Sequence, residues 1–219
     1  MYIDAHSHRP SPGMGIFTLM SCPPESTPAH DPPFTRVCCG IHPWQTVDMG
    51  AVEESWRVLS VLAGTGRLAA VGECGLDRRR GAALPEQLPV FRRQLELAEQ
   101  HGLPVVVHCV KAFVELAALR WEFSHTPWLI HGYGGKGEIP AGCLVSLGPA
   151  VLRRSHAAQI LKSLPENGFL LETDDSGADI TAVYHQAAAL LGRDARWLEE
   201  RLEHNFTAAF GAVFGAVNG

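Results

Sequence analysis

LPEQLPVFRRQLELAEQHGLPVVVHC, residues 84–109, carries a helix, a stop and a strand in direct succession. Leu88, Phe91, Leu95 and Ala98 recur at the spacing of one helical face, and Gly102 supplies the stop. The chain then enters Pro104–His108, which is apolar on both faces until it ends on an imidazole. A strand with no polar face belongs to a sheet covered on both sides, as in folds where helices lie over parallel strands.

The same alternation extends in both directions. Short segments rich in Val, Ile and Leu run over Tyr2–His6, Ile16–Met20, Arg36–Gly40, Leu68–Glu73, Pro104–His108, Trp128–His131, Cys143–Leu147 and Phe169–Glu172. Further helices are predicted over Ala51–Leu62, Ala112–Trp121, His156–Leu164, Ile180–Leu191 and from Ala195 onward, with a closing segment at Phe206–Phe214. Eight parallel strands with helices outside them close into an α/β fold of the TIM type, a (β/α) barrel. Residues 9–35, RPSPGMGIFTLMSCPPESTPAHDPPFT, are dense in Pro and Gly and leave no room for full helices after the first two strands. The barrel is therefore expected to be distorted or shortened at its N-terminal β/α units. No repeat or linker interrupts the chain, so a single domain over 1–219 is expected.

Apolar residues make up 46% and charged residues 19% of the 219 positions, which argues against disorder. A formal net charge of -5 excludes a global basic footprint for nucleic acid, so any phosphate affinity must be local. The six cysteines include no C-x-x-C pair, which favours a reducing, cytoplasmic setting. No apolar run approaches membrane-spanning length, so no membrane association is expected, and nothing in the sequence calls for an obligate protein partner.

Polar residues fall where the apolar segments finish. His6 and His8 follow YIDA, His42 follows CCGI, and Glu73, His108, His131 and Asp174 close or follow the later strands. Side chains two apart share a face of an extended strand, so Asp4, His6 and His8 are expected on one side. In parallel barrels the C-terminal rim of the strands holds the site, and these residues would gather there. Any one of them alone reads as a hydrogen-bonded loop residue; together, imidazoles and carboxylates form a ligand set suited to Zn, Mn, Fe or a pair of divalent ions. His30, His101, His125, His156, His185 and His204 lie in loops or on helical stretches and read as solvated surface.

IDAHSH, GIHPW, VGECGLD, LPVVVHC, LIHGYGG, LLETDD and HNFTAAF occur in this order over nearly the whole chain. The set resembles the signature blocks of TatD-type metal-dependent hydrolases, within the amidohydrolase-like barrel superfamily. The resemblance implies a hydrolase with two divalent metal ions (Zn, Mn or Mg), acting on a phosphodiester substrate that includes DNA for family members described as deoxyribonucleases. By the same resemblance His6 and His8 would ligate one ion, His108 and His131 the second, and Glu73 would bridge both. Asp174 would be a ligand that also handles the proton of the attacking water, as metal-activated hydroxide displaces at phosphorus. His42 resembles a position near the substrate phosphate; the alternative is a ring stacked on Pro43 and Trp44. Asp77 reads as an orienter of a ligand histidine or of a helix start, and Asn205 as a helix N-cap.

Several positions depart from the family's pattern. His108 is followed by Cys109, Val110 and Lys111 rather than by a run containing a phosphate-gripping Arg, Gly134 offers no guanidinium, and Trp44 stands where a second His is usual. Arg78, Arg79 and Arg80 follow GECGLD and are candidates for binding the substrate phosphate, with a solvated basic loop as the alternative. Hydrolysis of an amide, ester or lactone at the same centre, or a degenerate binding protein without turnover, are the competing readings.

Overall fold

The computed structural model describes residues 1–11 and 13–214. The strands are β1 (Tyr2–Ser7), β2 (Ile16–Cys22), β3 (Thr35–Cys39), β4 (Ala70–Asp77), β5 (Val105–Val110), β6 (Trp128–Ile130), β7 (Cys143–Leu147) and β8 (Phe169–Leu171). Helices are α1 (Met49–Gly64), α2 (Leu84–His101), α3 (Phe113–Glu122), α4 (Pro149–Leu152), α5 (Ala157–Ser163), α6 (Ile180–Leu191) and α7 (Ala195–Phe214). All eight strands pair in parallel and in chain order. The seam is drawn together by a bridge from Ser7 to Asp174, where the Asp174 amide donates to the His6 carbonyl at 2.9 Å. The fold is thus a nearly closed TIM-type barrel, and its seam runs through three of the candidate site residues, His6, His8 and Asp174.

The shortening expected at the N-terminal end is present. Among the described residues no α-helix follows β1 or β2; a single 3-10 turn, Pro24–Ser26, lies between β2 and β3. The outer face of these strands is covered instead by the end of the chain. Leu198, Leu202, Phe206 and Phe210 of α7 are fully buried, with Phe206 set against Phe17 of β2 at 5.3 Å between ring centroids. Each such side chain contributes roughly 1.5–3 kcal/mol of burial free energy. Tyr184 of α6 seals β1, its hydroxyl donating to the Ile3 carbonyl and accepting from the Ile3 amide, both at 3.1 Å.

Helix starts follow side-chain caps. The α1 helix begins two residues before the predicted Ala51 because the Asp48 carboxylate accepts the Gly50 and Ala51 amides at 2.9 and 3.1 Å. Gly102 ends α2 in the left-handed conformation, φ 63°, as its position in the sequence requires. Asn205 is not an N-cap. It lies inside α7, whose first turn is held by Asp194, and its buried amide donates to the carbonyls of Glu166 and Phe169 at 2.8 and 3.0 Å.

Two bulges aim the site. Between Val71 and Cys74, three steps along β4 match two along β5, and between Asp4 and Ser7 three steps along β1 match two along β2. The β4 bulge depends on glycine. Gly72 and Gly75 have φ of 144° and 145°, and a Cβ there would collide with the carbonyl oxygens of Val106 and His108. Strand β4 consequently runs four residues past the predicted end at Glu73.

Candidate metal centre

Glu73 stands at the middle of the barrel's C-terminal rim, its backbone amide donating to the Ser21 hydroxyl at 3.1 Å. Its two carboxylate oxygens face different neighbours. Oε1 lies 2.7 Å from His131 Nε2, 2.8 Å from His108 Nδ1 and 3.1 Å from His42 Nε2. Oε2 lies 3.5 Å from His6 Nε2 and 3.6 Å from His8 Nε2. Asp174 Oδ1 closes the second group, 3.6 Å from His6 Nε2 and 3.4 Å from His8 Nε2. Asp174 has a left-handed backbone, φ 53°, a conformation that Asp tolerates better than most residues and that the seam hydrogen bonds hold in place.

Burial and charge set the protonation of this cluster. Burial alone would push the His6 imidazolium down, but the nearby Asp174 and Glu73 carboxylates, 3.6 and 3.5 Å from Nε2, lift it to about 9. Burial likewise opposes a charged His131, and the Glu73 and Glu172 carboxylates raise it well above the usual histidine range. Glu73 would be raised by burial, yet the imidazoles of His131, His108 and His42 hold it far below the ordinary carboxylate value. Asp174 is held low in the same way by His6 and His8. The cluster is built to be occupied by positive charge.

The donor set fits divalent cations. His6 is fully buried, and neither of its ring nitrogens has a hydrogen-bond partner among the described residues, an arrangement that costs about 1–3 kcal/mol per polar atom unless something coordinates it. Imidazole nitrogens and carboxylate oxygens of His6, Glu73 and His131, of His6, His8 and Asp174, and of His42, Glu73 and His108 lie within 4.8 Å of one another in each group.

Three supporting residues fix ring orientation. Asp77 Oδ2 accepts the Trp44 indole N–H at 2.7 Å and lies 3.2 Å from His108 Nε2, while Oδ1 accepts the Arg79 and Arg80 amides at 2.7 and 3.2 Å. Asp77 therefore orients a histidine and also holds the following loop. His42 Nδ1 accepts the Trp44 amide at 3.2 Å, which leaves the proton on Nε2, and burial lowers its pKa so that the ring stays neutral. Its ring also meets Trp44 edge-on at 4.6 Å, in place of the stack on Pro43 and Trp44 considered for it. Glu172, which sequence reading passed over, is buried with Oε1 accepting the Gly132 amide at 2.9 Å and lying 3.9 Å from His131 Nδ1; Ser146 donates to its other oxygen. The signal was present as an acid closing the apolar run FLLE.

The structure brings His8, His42, Glu73, His108, His131 and Asp174 together around a cleft of about 450 Å³, with the fully buried His6 behind them beside Glu73 and Asp174. Asp4 does not join them: the β1 bulge breaks the alternation, and its carboxylate accepts the Thr173 amide, the Thr173 hydroxyl and the Ser11 hydroxyl at 2.9, 2.6 and 2.9 Å. The three loop arginines have separate surroundings. Arg78 is paired with Glu115, the Arg80 guanidinium sits 4.5 Å over the Trp44 ring, and the exposed Arg79 guanidinium has no partner among the described residues. His30, His101, His125, His156, His185 and His204 are exposed. Among the described residues, no helix is long and apolar enough to cross a membrane.

Comparison with known proteins bears on the family and the fold. A family described as TatD related DNase matches residues 26–211. The 3'-5' ssDNA/RNA exonuclease TatD of Dickeya dadantii (strain 3937) is 28% identical over 215 residues, spanning 83% of this chain and 79% of its own length. Human deoxyribonuclease TATDN3 is 30% identical over 159 residues, spanning 64% of this chain and 57% of its own. The crystal structure of a TatD homologue from Escherichia coli k12 superposes with a TM-score of 0.73 at 21% identity, covering 96% of this chain and 98% of that one, which shows a shared fold.

Proposed function

The chain belongs to the TatD-related DNase family and is a metal-dependent hydrolase of phosphodiester bonds, and from that premise we propose that it shortens single-stranded nucleic acid at a site holding two divalent cations. The observation that carries this reading is the division of neighbours between the two oxygens of Glu73, with His6 and His8 on one side and His108 and His131 on the other. His6, His8, Asp174 and Glu73 Oε2 would hold one cation; His108, His131 and Glu73 Oε1 would hold the second. Zn and Mn suit this nitrogen and oxygen set best, with Mg as the harder alternative. Bound there, the ions supply Lewis acidity and make water a competent nucleophile near neutral pH.

The chain's own side chains do the rest. The Asp174 carboxylate is half-buried at the cleft, 3.4 Å from His8 Nε2, and would orient the attacking water, accept its proton and pass it to the leaving oxygen. His42 carries its proton on Nε2, which meets Glu73 Oε1 at 3.1 Å beside the cleft; with Glu73 engaged by the cations, that donor would turn to a nonbridging phosphate oxygen. Of the loop cations, Arg79 is the one whose guanidinium is open to a phosphate; with Arg78 and Arg80 it remains a substrate-binding candidate. The complete set of ligand-type residues speaks against a binder without turnover, and the nuclease names of the relatives favour phosphodiesters over amides or lactones.

Incubating 5'-labelled single-stranded DNA and RNA oligonucleotides with the protein and Mn, Zn or Mg should give stepwise shortening that EDTA stops. Intact oligonucleotides under every ion, with folded protein, would overturn the reading.

A further inference from the structure

We propose that Trp44 is a rigid nucleobase-stacking platform on the wall of the cleft, selecting substrates with an intact base beside the scissile phosphate. The proposal rests on the nuclease reading above. Trp44 is 42% exposed, lines the cleft, and stands edge-on to His42 and His108 at 4.6 and 5.9 Å between ring centroids. The other strongly exposed tryptophan, Trp121, lines a different groove against α3.

The indole is fixed before any ligand arrives. Its N–H is donated to the buried Asp77 at 2.7 Å, its backbone amide to His42 Nδ1 at 3.2 Å, and the Arg80 guanidinium lies 4.5 Å from the ring centroid. A surface already held in one orientation loses little entropy on binding, which favours affinity. Aromatic rings bind single-stranded nucleic acid by stacking on base faces, and a neighbouring Arg adds a cation–π contribution.

Charge leaves stacking a large share of the recognition. The chain carries a net charge of -5, Arg78 is paired with Glu115, and Arg80 is spent on the indole itself. Of the three cations on the loop after β4 only Arg79 is left to grip phosphate, so part of the discrimination among substrates falls to the ring. A stacked base contributes roughly 5- to 150-fold in affinity.

The test is fluorescence anisotropy with 5'-labelled tetranucleotides ending in either a normal 3' nucleotide or a 3' abasic tetrahydrofuran residue. Asp174→Asn protein loaded with Mn keeps turnover slow during the titration. The normal end should bind roughly 5- to 150-fold tighter than the abasic one. Trp44→Leu should collapse that ratio toward unity, while Trp44→Phe, which loses the bond to Asp77 but keeps a ring, should retain most of it. Circular dichroism and metal content of both variants control for folding. Equal binding of the two ends, or a ratio that survives Trp44→Leu, overturns the platform. Cleavage by the unaltered enzyme without base discrimination removes the platform and leaves the nuclease reading intact; base-selective binding without cleavage does the reverse.

Discussion

Replacing Asp77 by Asn changes one atom and tests how the centre is held. All four contacts of this carboxylate are donors: Trp44 Nε1 and His108 Nε2 on Oδ2 at 2.7 and 3.2 Å, and the Arg79 and Arg80 amides on Oδ1 at 2.7 and 3.2 Å. An Asn amide turned toward the main chain opposes the two loop amides with its own donors. Turned the other way, it faces the indole N–H and forces His108 to keep its proton on Nδ1, the nitrogen 2.8 Å from Glu73 that is needed for coordination. Hydrogen bonds to a charged acceptor contribute about 1.5–3 kcal/mol each. Loss of a partner behind a ligating histidine lowers metal affinity by roughly 10- to 100-fold, or about 1.4–2.7 kcal/mol. Titrating apoprotein with Zn or Mn against a chelating dye should therefore show a weaker second ion by that factor, with kcat falling more than KM rises. Burial would raise Asp77, but the Trp44, Arg79 and His108 contacts hold it below the ordinary carboxylate value, so its contribution is present above the unfolded pKa near 4 and fades as pH falls below it. The Asn variant should lose this part of the acid dependence. Metal affinity within twofold of the unaltered protein, at unchanged Tm, would refute the orienting role.

Further outcomes follow from the same geometry. Glu73→Gln should lower turnover by roughly 10²–10³-fold or more and reduce the ions retained on gel filtration, because it withdraws the charge shared by five imidazoles; near-normal turnover would contradict the bridging role. Metal uptake at pH 7 should release about two protons, since His6, lifted to about 9, and His131, raised well above its usual range, are both protonated before loading. Affinity should then rise with pH up to about 9, and calorimetry in buffers of different ionisation enthalpy reads the proton count. Gly75→Ala should lower stability by about 1–3 kcal/mol or more in thermal unfolding, because φ is 145° and the new Cβ meets the His108 carbonyl, whereas Gly66→Ala, with open space around it, should cost about 1 kcal/mol. Replacing Arg78, Arg79 and Arg80 together by Ala should raise KM and flatten its salt dependence on an oligonucleotide; an unchanged KM and slope would remove the loop from substrate binding.

The barrel was legible because each strand is a short apolar run with a polar residue at its end, and that pattern survives every boundary error of a few residues. Ile180–Leu191 and Cys143–Leu147 match their predicted limits, whereas Ala51 missed the cap at Asp48 and so lost the first residues of α1. The site residues were legible for the same reason, being imidazoles and acids at strand ends. What escaped was the backbone that aims them. A bulge adds one residue without changing composition, so the VGECGLD run gave no sign that β4 continues to Asp77 or that Asp4 parts from His6 and His8. Glu172 escaped because an acid two places before Asp174 reads as strand-end polarity until Ser146, Gly132 and His131 are seen around it. Asn205 was misread since HNFT looks like a cap only if the preceding helical turns, from Ala195, are ignored.

The central claim, two cations shared by Glu73, is tested most directly by metal analysis of protein prepared without chelator and then saturated with Mn or Zn, alongside His131→Ala. The account predicts two ions per chain in the unaltered protein and one in the variant, with the remaining ion held by His6, His8, Glu73 and Asp174. A folded protein that binds no divalent ion, or that keeps both after His131 is removed, would contradict it.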